Sequence, residues 1–97
     1  MTGHYTAQHR LVGYDPVSER PKFSLDIPQS KFSVLRMFVR FGEDDPHGYD
    51  SYKLSYSQVT DLVKSLRGAV KPPSILEYFV EPFDPRESSH HRRQHHL

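Results

Sequence analysis

The sequence predicts one small α+β domain, and three features of the chain carry that prediction. Residues 22–27 alternate strictly, with Phe23, Leu25 and Ile27 on one parity and Lys22, Ser24 and Asp26 on the other. That is the period of a half-buried strand. Residues 54–59, Leu-Ser-Tyr-Ser-Gln-Val, spell out how a helix starts. Ser55 accepts from the Gln58 amide while the Gln58 side chain returns to the Ser55 amide, a capping box, with Leu54 and Val59 placed as a hydrophobic staple. Residues 28–41 hold a broad apolar arc at helical period. Each element has one apolar face to bury, so the expected order is β-β-α-(β)-α-β. A mainly antiparallel sheet of three or four strands carries two helices on one face.

The chain opens on a loose start, and residues 8–14 alternate weakly through Leu11, Val12 and Tyr14, which reads as a strand. Asp15-Pro16 to Arg20-Pro21 is turn chemistry, because Pro presets φ and Asp or Ser bonds its own backbone. The strands on either side should form a hairpin. In residues 28–41 propensity alone favours a strand. Helical period instead gathers Ser33, Arg36 and Arg40 in one polar sector, opposite Phe32, Val34, Leu35, Phe38, Val39 and Phe41. Pro28 and Gly42 bracket the segment as a helix would want. A helix is the reading, with a strand as the alternative.

Residues 43–50 form an acidic loop, and residues 51–54 pair briefly before the capped helix, expected over 56–67. Val59, Leu62, Val63 and Leu66 share its inner face, Lys64 and Arg67 suit its C-terminal dipole, and Gly68 is placed as a left-handed stop. Pro72-Pro73 forbids further helix. Residues 74–81 carry apolar side chains on both parities, the mark of a strand inside a sheet. The expected core comprises Leu25, Ile27, Leu35, Phe38, Val39, Leu62, Leu66, Tyr78 and Val80. Residues 1–85 make the single domain, ordered from about residue 5, and residues 86–97 make a polar His/Arg-rich tail with no apolar period to bury.

Composition narrows the function classes. At 97 residues there is room for one domain. Only 35% of residues are hydrophobic, but six Tyr and six Phe give each buried position a large area. The tail from residue 86 holds three arginines against one glutamate, which leaves residues 1–85 with ten basic and eleven acidic groups, a net of −1. That balance argues against specific nucleic-acid binding, which lives on phosphate neutralisation. Without cysteine there is no disulfide, thiolate nucleophile or zinc–thiolate site. No signal peptide is visible at the first residues, and Arg36 and Arg40 break the longest apolar cluster, so a cytoplasmic protein without membrane attachment is expected.

The chemistry-bearing clusters are few. Glu43, Asp44, Asp45, His47, Tyr49 and Asp50 fall within eight residues, but no Glu follows Gly48 at the distance a calcium loop needs. Phe38-Val39-Arg40-Phe41 matches the second half of an RNA-recognition signature, while residues 34–37 fail the first half throughout. Arg36 and Arg40, one turn apart, suit a phosphate or carboxylate, or simply solvent. No nucleophile elbow, phosphate loop or zincin motif occurs, so no cofactor is expected.

These observations predict a non-catalytic protein-binding domain, with an inhibitor or immunity-type binder of a basic partner as its specific version. Its surface would combine Glu43, Asp44, Asp45, His47, Tyr49 and Asp50 with Tyr52 and Tyr56, tyrosines as anchors and acids for steering. A homodimer is compatible with the same composition. The first alternative is a small ligand-binding or enzymatic domain built on His47, Asp44 or Asp45, and Tyr49. The second is metal binding by His90, His91, His95 and His96 of the tail, since neutral imidazoles ligate zinc, nickel and copper.

Overall fold

Strands and helices follow one another as the hydrophobic pattern predicts, and the sheet places two of them at its centre. The structure, a computed structural model, describes residues 8–68 and 70–83. Its elements are β1 (Gln8–Tyr14), β2 (Pro21–Ile27), α1 (Phe32–Phe38, entered through a 3-10 turn at Gln29–Lys31), β3 (Tyr52–Leu54), α2 (Tyr56–Ser65) and β4 (Glu77–Phe83). The sheet is antiparallel throughout, in the order β2-β1-β4-β3. The protein is thus a small α+β domain. The tail residues 86–97, and with them the four candidate metal-binding histidines, lie outside the described residues.

The hairpin between β1 and β2 pairs Leu11 with Leu25, and on the other side Leu11 sits opposite Val80. Those three share the face on which both helices lie. The core there consists of Leu11, Ile27, Leu35, Val39, Leu54, Val59, Leu62, Val63, Tyr78 and Val80, with Leu25, Phe38 and Leu66 packed against it. Every residue expected in the core therefore contributes. Leu11 and Leu54, which sequence periodicity left out, are buried as deeply. The opposite face is covered by its own strand side chains: Tyr14 meets Phe79 edge-on at 5.8 Å and the Arg10 guanidinium lies 3.8 Å over the Phe83 ring.

Four local expectations need correction. The helix expected over 28–41 is only seven residues long, and Val39 is already extended at φ −122°, ψ 126°. Residues 39–41 are β-branched or aromatic apart from Arg40 and gain little from helix. Tertiary contacts take over there, with the Phe41 ring 5.5 Å from Phe32 and 5.1 Å from Tyr52. Gly42 accordingly is not the helix stop. In α2 the capping box forms as predicted, but the helix ends at Ser65, and the left-handed stop is Arg67 (φ +59°) rather than Gly68. The Gly68 amide donates to Val63 at 2.9 Å and the Arg67 amide to Lys64 at 3.0 Å, a Schellman closure. Gly68 is needed for space instead, because a Cβ there would lie 2.8 Å from Val63 Cγ1.

The last strand starts three residues later than expected and includes Pro82. The reason lies in two hydroxyls: Tyr56 donates to the Pro72 carbonyl and Tyr78 to the Pro73 carbonyl, each at 2.6 Å. They hold the Pro-Pro segment off the sheet, so Ile75 is left 77% exposed and pairing begins only at Glu77.

Candidate functional site

The acidic loop between α1 and β3 is built around a carboxylate turned inward. Asp45 is only 8% exposed. Its Oδ1 accepts from the Tyr49 amide at 2.7 Å, and its Oδ2 from the Asp50 amide at 3.0 Å and the Tyr52 hydroxyl at 2.6 Å. Its own amide donates to Gly42, and the Gly48 amide returns to its carbonyl. One residue thereby fixes both ends of a six-residue turn. The Tyr52 hydroxyl, with the Tyr49 and Asp50 amides behind it, holds the Asp45 carboxyl below the usual carboxylate range, against the opposing effect of burial. The same hydrogen bond raises the Tyr52 phenol above its ordinary value.

The loop is also fastened from beneath. His9 of β1 is buried, and its Nε2–H donates to the Gly48 carbonyl at 2.8 Å. The imidazole stands 5.3 Å from the Phe32 ring and 6.2 Å from Phe41, continuing an aromatic row that ends at Tyr52. Gly48 has φ +69°, and a Cβ on it would meet His9 Nε2 at 2.9 Å and Phe41 Cζ at 3.1 Å. Only glycine combines that backbone angle with so close an approach. Sequence reasoning missed His9, whose role depends on a contact 39 residues away. Its one local signal is that it shares parity with Leu11.

The predicted surface therefore divides in two. Glu43, Asp44, His47, Tyr49 and Asp50 are exposed, and Tyr49 keeps 53% of its surface in solvent. No Lys, Arg or His among the described residues lies within ion-pair distance of Glu43, Asp44 or Asp50; the ion pair present, Arg10 with Asp26 at 3.4 Å, is elsewhere. Asp45, Tyr52 and Tyr56 instead direct their polar atoms into the fold. The His47 and Tyr49 rings approach to 5.8 Å at the surface, while the Asp45 carboxylate is taken up by the Tyr49 and Asp50 amides and the Tyr52 hydroxyl.

A shallow groove of about 370 Å³ lies beside the loop, with Arg36, Arg40, Phe41, Glu43 and Pro46 among its walls. Arg36 and Arg40 both line it although the helix ends between them, so helical period does not relate them; Arg36 lies 6.0 Å over the Phe32 ring. Glu43 lines the same groove, beyond ion-pair distance of either arginine. His47, Asp44 and Tyr49 are not among its lining residues. Phe41, part of the partial RNA signature, is packed in the aromatic row and does not lie on a strand. No group of three or more His, Asp or Glu side chains among the described residues is placed to hold a metal ion. Nor does any described helix have the length and apolarity to cross a membrane.

No protein-family model matches the chain, and no curated protein or solved structure is significantly similar to it.

Proposed function

We propose that the protein is a non-catalytic binding domain that presents residues 43–50 to a basic protein partner. The observation that carries this reading is the inward anchoring of Asp45. By satisfying its hydrogen bonds inside the loop, it leaves Glu43, Asp44 and Asp50 exposed and outside ion-pair distance of any cation among the described residues, on a backbone that is already held. A preorganised loop loses less conformational entropy on association than a floppy one. Unpaired carboxylates steer a cationic surface and set the on-rate, and Tyr49 offers a half-exposed aromatic anchor at their centre. An inhibitor or immunity-type protein that covers a basic enzyme is the specific form this surface suits best.

The test uses the full chain immobilised against native lysate. Changing Glu43→Gln, Asp44→Asn and Asp50→Asn together, with Asp45 retained, should leave the thermal midpoint unchanged and abolish salt-sensitive capture of a stoichiometric partner. Capture that survives the triple change rejects this surface. Keeping Asp45 is essential, since its loss would disturb the loop itself.

A further inference from the structure

We propose that the groove between β2 and the C-terminal end of α2 receives an extended acidic peptide, which adds to the sheet as a fifth strand beside β2. β2 is an edge among the described residues: it pairs with β1 on one side and no described strand lies on the other. From Lys22 to Ile27 its outer N–H and C=O groups therefore have no backbone partner among the described residues, the requirement for strand addition. Beside that edge runs a groove of about 280 Å³ between Phe23 and Leu25 of β2 and Val63, Gly68 and Val70. Its surface is mainly apolar, and Val70 is left 62% exposed above it. Such space next to an open strand edge is where alternate side chains of an added strand would go.

The charge around the groove selects the occupant. Lys22 lines it, and Lys64, Arg67 and Lys71 are exposed on the segment that forms its other wall. From residue 62 to residue 76 the sequence contains no Asp or Glu, and residues 22–25 contain none. Lys22, Lys64, Arg67 and Lys71 have no carboxylate of this chain within ion-pair distance among the described residues. The complementary ligand is an extended segment with apolar residues at every second position and Asp, Glu or a C-terminal carboxylate between them. Gly68 contributes by its lack of a side chain: the turn after α2 can approach Val63 closely enough to form a continuous wall. This inference does not depend on the acidic loop, which is tied to β3 at the opposite edge of the sheet.

The experiment titrates the full-length protein with a fluorescein-labelled hexapeptide alternating Val with Asp and ending in a free carboxylate. Matched probes carry Lys in place of Asp, or N-methyl groups at alternate backbone nitrogens. The acidic peptide should bind, shift the amide resonances of residues 22–25 and 63–70, and give Hα contacts to β2 in nuclear Overhauser spectra. Affinity should fall at least tenfold for the Lys probe, for the N-methylated probe, and on K22E or V70D, both at exposed positions, with thermal midpoints unchanged. Absence of binding, equal binding of the Lys or N-methylated probes, or shifts confined to other residues would overturn the proposal. So would sedimentation showing that β2 is occupied by a second copy of the chain at the concentrations used.

Discussion

Two irregular segments of this fold, the acidic loop of residues 43–50 and the basic stretch of residues 66–76, are locked by opposite chemistries. In the first, a carboxylate draws backbone amides inward, with Asp45 accepting from Tyr49 and Asp50. In the second, phenol hydroxyls take hold of backbone carbonyls, Tyr56 on Pro72 and Tyr78 on Pro73. Asp45 must be ionised to accept three hydrogen bonds, whereas Tyr78 must be neutral to donate one. A loop can thus be made rigid without regular structure, and the group that rigidifies it decides which side of neutral pH threatens it.

The largest expected effect falls on the phenol side. Tyr78 is fully buried, so Tyr78→Ala should remove about 3–5 kcal/mol of stability in denaturant titrations. Tyr78→Phe, which deletes only the bond to Pro73, should cost about 1 kcal/mol and loosen the Pro-Pro segment. Burial, with a smaller contribution from Tyr56, pushes the Tyr78 phenol up to about 12. A raised phenol pKa means that its stabilisation is complete below about pH 10 and is lost as pH climbs through 12. Alkaline unfolding monitored by circular dichroism should steepen in that window, and less so in the Phe variant. Tyr14, raised to about 12 by burial and by its bond to Glu81, adds to the wild-type and Phe-variant curves alike.

Asp45 breaks the comparison from the other side. Its depressed carboxyl contributes stability that is present above the ordinary carboxylate range and lost as pH falls through the folded-state value, below about pH 4. Amide exchange at Tyr49 and Asp50 should lose protection there before the core does. Asp45→Asn should show that loss already at neutral pH, with β1 and β4 amides still protected. If the two amides stay protected in the variant, another group holds the loop.

A smaller effect sharpens the link between the loop and the helices. Gln58 uses both ends of its amide: Oε1 accepts from Ser55 at 2.8 Å and Nε2 donates to the Phe38 carbonyl at 2.9 Å. Gln58→Glu keeps the capping box and loses the donor to α1, so it should cost about 1 kcal/mol. Gln58→Ala should cost about 1 kcal/mol more. Equal losses would show that the capping contact with Ser55 contributes nothing, and an unchanged Glu variant that the bond to Phe38 contributes nothing. The smallest change is a gain. Arg67 holds a left-handed angle that glycine adopts without steric penalty, so Arg67→Gly should raise the unfolding free energy by up to about 1 kcal/mol in urea.

Much of this was legible because the signals were local. The alternation of Phe23, Leu25 and Ile27 needs only neighbours two apart, and the Ser55–Gln58 box closes within four residues. Those elements appear where expected. For α1 the same local reading ran too far, because Phe41 leaves the helical period to stack on Phe32 and Tyr52. The candidate site was legible as composition: an acidic cluster with tyrosines. Which acid turns inward was not, since Asp44 and Asp45 are alike in sequence and differ only in facing Tyr52.

By itself, then, the sequence determined the order of the elements, the parity of β2 and the start of α2, all of them matters of short-range period and capping. Tertiary structure alone decided the order β2-β1-β4-β3, the late start of β4, the place of His9 under Gly48 and the shift of the left-handed stop from Gly68 to Arg67. Each of these turns on a contact or a close approach between backbone and a distant side chain. Pattern along the chain reports which face a residue prefers, while only packing reports what that face will meet.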